Sequence, residues 1–169
     1  KMNKYYLIFL LILFVPTVKA KTISVGKKGK YSTIKSALQH ADNGDTVIVS
    51  KGLYKEGNIL INKSIFFLGE NRPIIDGDKK YEVLSIKASH VVIKGFKIQH
   101  SSYASLDDPG GIKIYESSNV TIEENILYDN FFGIYLQYCS KCIVKNNRVI
   151  SFGKQEQEIG NGIHCWKSD

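Results

Sequence analysis

After Ala20 the chain contains no methionine, because its single Met is Met2. That absence removes the thioether donors that soft metals take. Runs of basic residues are missing too. The Lys and Arg residues, 23 in all, are scattered and have no interleaved aromatic platform, so nucleic-acid binding gains little support. The one sustained apolar run, Tyr5 to Val15, is too short to span a bilayer, which needs about 20 apolar residues. The residue directly after Ala20 is Lys21 and not cysteine, which argues against a lipid anchor there. Only three cysteines occur, Cys139, Cys142 and Cys165, so one stays unpaired if two bond within the chain.

The start reads as an address. Lys1 and Lys4 form a basic region, the apolar run follows, and Val18-Lys19-Ala20 resembles a small-residue cleavage site. Residues 1–20 are therefore expected to be a signal peptide, with the mature chain starting at Lys21 outside the inner membrane. Lys1 ahead of Met2 suggests a fragment of a longer protein. Cleavage removes three lysines and no acid, so the charge falls from +7 to +4, 20 basic residues against 16 acidic. The remaining 149 residues (169 − 20) suit one domain.

What is present is a repeat. Gly111-Ile112-Lys113-Ile114 returns as Gly133-Ile134-Tyr135-Leu136 and as Gly162-Ile163-His164-Cys165. Between them, the run around Ile122 returns around Val144, an offset of 22 residues (144 − 122). Short β-type runs at such a period, parted by Asn, Gly and Ser, indicate stacked coils. The expected fold is all-β, a right-handed parallel β-helix of about five coils.

Three strand lines follow from the repeat. The first passes through Ile61, Ile86, Ile114, Leu136 and Cys165, and the second through Phe67, Ile93, Ile122 and Val144. The third passes through Ile98, Leu127 and Val149. Alternation along each strand turns these side chains inward and leaves Lys113, Tyr135 and His164 outward. Asn125 and Asn147 fall at one bend between the second and third lines, where stacked amides can serve backbone groups that lack ladder partners. They are expected to form a structural ladder. Ile34, Ala37, Leu38 and Ala41 make a helical stripe, with Ser32 as candidate N-cap. Residues 21–58 are thus expected to cap the solenoid with a helix and a first strand. Residues 59–169 form the coils and end without a cap, as the N-terminal part of a longer protein would.

With these features in hand, the chain resembles the NosD family, periplasmic β-helix proteins of nitrous oxide reductase maturation. The most specific likeness lies in Phe132-Gly133-Ile134-Tyr135-Leu136-Gln137 and in Gly160-Asn161-Gly162-Ile163-His164-Cys165-Trp166. Tyr31-Ser32-Thr33-Ile34, Gly44-Asp45-Thr46-Val47-Ile48-Val49 and Ile75-Asp76-Gly77 add to it, though many carbohydrate-acting β-helices share such cap features. Cys165 stands where the family commonly has Leu. The resemblance implies a non-enzymatic periplasmic role. It also implies an ATP-binding cassette transporter (ATPase plus membrane permease) as partner, with nitrous oxide reductase or a copper chaperone, and copper as the metal handled.

Cys142 and Cys165 align with apolar positions of the repeat, whereas Cys139 sits at a turn and is expected to be exposed. Cys139 and the outward His164 are the candidate copper contacts. His40, His90 and His100 are expected to be solvated. Two seven-residue insertions leave one corner: the step from third line to first is 7 residues at Leu127 to Ile134, but 14 at Ile98 to Ile112 and at Val149 to Ile163. Their acids, Asp107, Asp108, Glu156 and Glu158, should flank Lys113, Tyr135 and His164 as a docking or cation-attracting surface. A polysaccharide lyase, hydrolase or epimerase is the rival reading, since such enzymes share the fold. Hydrolysis needs two carboxyls about 5–9.5 Å apart, and the outward column holds none. A structural or adhesive β-helix is the third reading.

Overall fold

The structure, a computed structural model, describes residues 19–103, 108–152 and 160–169. The stretches 1–18, 104–107 and 153–159, and with them the leader, Asp107, Glu156 and Glu158, lie outside the described residues. Every strand pairing is parallel, and each strand meets its partner one coil away, which is the parallel β-helix.

Three sheets line the solenoid. The first-line sheet stacks β4 (Ile59–Ile61), β7 (Leu84–Ile86), β10 (Gly110–Tyr115), β13 (Phe132–Gln137) and β16 (Ile163–Trp166). The second holds β1 (Thr22–Val25), β2 (Thr46–Val49), β5 (Phe66–Gly69), β8 (Val92–Lys94), β11 (Thr121–Glu123) and β14 (Ile143–Lys145). The third holds β3 (Leu53–Tyr54), β6 (Ile74–Asp76), β9 (Lys97–Gln99), β12 (Ile126–Tyr128) and β15 (Arg148–Ile150). Strands β1, β2 and β3 thus join the same sheets as the later coils, so residues 21–58 already contribute rungs as well as the helix.

The register follows the repeat. Ile61, Ile86, Ile114, Leu136 and Cys165 are successive partners on the first line, and Phe67, Ile93, Ile122 and Val144 on the second. Ile98, Leu127 and Val149 do the same on the third. Stacking like on like buries one apolar column in which Phe67 and Phe96 stack at 4.5 Å.

The helix α1 (Ile34–His40) buries Ile34, Ala37 and Leu38 against β1, β2 and β4. Its N-cap is Thr33, whose hydroxyl accepts from Ser36 N at 3.2 Å, one residue past the expected Ser32. Glu56 accepts from Ile34 N and Lys35 N at 2.7 and 2.9 Å, supplying the negative charge the first turn lacks. At the other end Lys63 donates to the carbonyls of Leu38, Gln39 and Ala41.

Corners repeat as well as strands. Gly95, Glu124 and Asn146 occupy the same bend with φ of 85°, 56° and 56°, a left-handed residue that turns the chain within one position. The next residues are Phe96, Asn125 and Asn147. Asn125 Oδ1 accepts from Phe96 N at 3.0 Å, and its amide donates to Ile93 O at 3.1 Å and to Asn147 Oδ1 at 3.1 Å. Asn147 donates to Ile122 O at 2.8 Å. A second buried amide, Asn130, accepts from Ser101 N and donates to Ile98 O, both at 3.0 Å.

Candidate functional site

The outward faces of β7, β10 and β13 bring Ser85, Lys113 and Tyr135 into register, with His164 of β16 next in line. These side chains leave the core, as alternation requires, yet Ser85, Lys113 and Tyr135 retain only 6, 4 and 5% exposure. The corner residues Asn58 and Glu82 close off Ser85, whereas Lys113 and Tyr135 are covered by strand residues, Tyr115, Phe132 and His164. The result is a cleft of about 460 Å³ lined by Asn58, Glu82, Ser85, Asp108, Lys113, Tyr115, Tyr135 and Gln137.

Glu82 organises one wall. Tyr115 Oη lies 3.0 and 2.9 Å from its two carboxylate oxygens, and Ser85 Oγ donates to Oε1. Asn58 Nδ2 donates to Ser85 Oγ at 2.7 Å and to Glu82 O at 3.0 Å. Burial pushes the Glu82 carboxyl above its ordinary value, an effect only partly offset by the two hydroxyls and by the Lys113 and Lys87 ammoniums. Lys113 Nζ donates to Asp108 O at 3.3 Å and lies 5.0 and 4.7 Å from the Tyr115 and Tyr135 ring centres. Burial, then the neighbouring charge of Asp108, raises the Tyr135 phenol. Beyond it, Phe132, Tyr135 and His164 form a ring cluster with centroids 4.9 to 5.1 Å apart. His164 Nδ1 is 3.1 Å from Asn161 Nδ2.

Of the expected docking surface, Lys113, Tyr135 and Asp108 come together in this cleft, while Asp107, Glu156 and Glu158 lie outside the described residues. Cys139 is a correction: at 2% exposure it is buried. Its thiol points inward at the turn, donating to Ile114 O at 3.5 Å and Gln137 O at 3.3 Å. Ser117 and Ser168 make the equivalent bonds in adjoining coils, to Tyr115 O and Trp166 O, so Cys139 stands in a hydroxyl ladder. Cys165 pairs with Leu136 in the core register, yet it is exposed on the last described strand. His100 is also corrected from solvated. Its Nδ1 is 3.1 Å from an Asp76 carboxylate oxygen in the preceding coil. Among the described residues, no three of His, Cys, Asp and Glu gather as a metal site. Cys139 turns into the column while His164 lies on the outward face, so these two side chains do not share one site.

The alignment of Ser85 with Lys113 was readable from the repeat and was missed. Asn58 and Glu82 were missed for a different reason: both stand at the corner between the third and first lines, whose length varies from coil to coil.

No helix among the described residues is long and apolar enough to cross a membrane. Searches of the curated proteins and of the solved structures return no match. A family model described as a right handed beta helix region matches residues 18–169. With parallel coils, a continuous apolar column and stacked corner amides over the same span, the chain belongs to the right-handed β-helix family.

Proposed function

We propose that the chain is an exported, non-enzymatic accessory protein for building the copper centre of nitrous oxide reductase in the periplasm. It works there with an ATP-binding cassette ATPase and its membrane permease. Copper is cargo in this reading, passed between a chaperone and the reductase, and no step is routed through the described residues. The observation that carries the proposal is the convergence of its two most specific sequence runs. Within these runs residues 134–137 pair with 163–166 rung on rung, and Phe132, Tyr135 and His164 form a ring cluster beside the cleft. The most specific likeness thus falls on the rungs beside the cleft, where His164 is the half-exposed member of the cluster and Phe132 and Tyr135 are buried. Deleting the gene should leave nitrous oxide reductase exported but deficient in copper, and tagged protein should co-purify with the ATPase–permease pair. Full copper loading in the deletion strain would overturn the assignment.

One observation favours a polysaccharide-acting enzyme instead. A half-buried carboxyl with a raised pKa, as at Glu82, is suited to donating a proton. Turnover of a polysaccharide by the purified protein, lost in Glu82→Gln, would transfer the assignment to that class.

A further inference from the structure

The cations are scattered along the sequence, but their excess over the acids is not. Residues 58–169 hold 13 Lys and Arg (23 − 10) against 13 Asp and Glu (16 − 3), a net charge of zero. That count includes residues 104–107 and 153–159, which leave the third sheet at β9 and β15, two or more coils from the cap. The whole excess, +7 for the full chain and +4 after Ala20, lies in residues 1–57, whose described part builds the capped end of the solenoid. Three acids stand among the lysines there, and each is engaged. Asp42 and Asp45 pair with Lys21, and Glu56 accepts from the first amides of α1. Lys55 is matched by Asp78. Lys27, Lys28, Lys30 and Lys51 are exposed, and none of them makes an ion pair among the described residues.

One corner gathers these four. After β1 the chain folds back on itself, with Gly26 N donating to Tyr31 O at 2.9 Å and Tyr31 N to Ser24 O at 3.1 Å. Ser24 Oγ fixes this loop by accepting from Lys30 N at 3.0 Å, and Lys27, Lys28 and Lys30 all project from it. Ser50 N donates to Val25 O at 2.9 Å, so Lys51 follows at the same corner one rung on, about 4.8 Å along the axis. The next rung there holds Glu70 and Arg72, which cancel. Leu53, 59% exposed, stands two residues past Lys51 on the outermost strand of the third sheet. The patch is lysine alone, since the first 57 residues contain no Arg. Lysine is a strongly hydrated point charge and lacks the planar fork that grips one carboxylate or phosphate at two points. It is depleted at protein–protein interfaces, where Arg is enriched. Exposed lysines at the end of a rod suit a partner that is itself extended and diffusely anionic. The protruding Leu53 suits one with an apolar layer beneath its charges.

We infer that this corner seats the capped end of the solenoid on a membrane surface rich in anionic lipid headgroups. The attraction requires neither copper nor the reductase, so this inference and the accessory role can each fail alone. The test is flotation of the purified full chain with vesicles of phosphatidylcholine, alone or with about one-third phosphatidylglycerol, at about 0.02 M salt. The neutral vesicles report any contribution of the apolar run Tyr5 to Val15. Anionic vesicles should bind more tightly, and about 0.5 M salt should erase the difference. Lys27→Gln, Lys28→Gln, Lys30→Gln and Lys51→Gln together should weaken binding to anionic vesicles at least about twentyfold, since one lysine near such a surface is worth about fivefold. Lys141→Gln, Lys145→Gln, Arg148→Gln and Lys167→Gln together remove the same charge at the opposite end of the coils and should change binding less than about threefold. Circular dichroism and melting confirm that each variant is folded. Equal losses in the two variants, no preference for anionic vesicles, or release from them by a hexaglutamate peptide matched in charge to the lipid would overturn the inference.

Discussion

Replacing Asn125 by Leu keeps the side chain's approximate size and removes its amide from a site that is 1% exposed. Three side-chain bonds disappear: from Phe96 N, to Ile93 O and to Asn147 Oδ1. The losses are unequal. Phe96 N sits among fully buried side chains and becomes an orphan donor, costing about 1–3 kcal/mol. The Ile93 carbonyl loses one acceptor contact, worth about 1 kcal/mol. Asn147 Oδ1 still receives Asn125 N at 3.0 Å, so little is added there. The expected total is about 2–4 kcal/mol. Asn147→Leu is the internal comparison. It orphans Asn125 N at a half-buried rung that water can reach, so it should cost about 1–2 kcal/mol. Urea denaturation followed by circular dichroism measures both. Equal effects, or an Asn125→Leu variant within about 0.5 kcal/mol of the parent, would refute the ladder as an energetic element.

Four other outcomes are expected. Thiol labelling of the folded protein should modify Cys165 first and Cys142 more slowly, since burial raises the Cys142 thiol; Cys139 should react only on unfolding. Cys139→Ser should be tolerated, because Ser117 and Ser168 occupy its place in adjoining coils. Folded Glu82 holds its proton above the ordinary 4.5, so the folded state carries the extra proton between that value and the raised one. Stability should therefore fall as pH rises through this window and stay lower above it, and Glu82→Gln should erase that part of a stability–pH profile. Gly95→Ala should lower the melting temperature measurably, because Gly95 has φ of 85° and a Cβ there would meet Gly69 O at 2.5 Å.

Much of the architecture was legible because a solenoid repeats in sequence what it repeats in space. Ile114, Leu136 and Cys165 recur at the same step of the pattern, and parallel pairing then leaves one register that keeps them all inward. The corner amides were legible on the same ground: Asn125 and Asn147 share a bend whose preceding residue must adopt a left-handed conformation. Direction away from the core was equally readable for Lys113 and Tyr135.

Exposure was not. Whether an outward side chain meets water depends on what adjoining coils and the third-to-first corner place beside it, and that corner varies in length. Glu82 and Tyr115 are 33 residues apart in sequence and meet only because one coil sets the next directly against it. The turn at Cys139 shows the converse. Its spacing suggested a surface thiol, but the left-handed Tyr138, with φ of 54°, turns the next residue back into the column. Sequence by itself determined the periodic properties, namely strand lines, register and ladder, because periodic contacts are encoded locally in each coil. Tertiary structure alone decided burial of the outward column, the environment of Glu82 and the shape of the cleft, because these depend on side chains packed across coils and on the third-to-first corner, whose length varies.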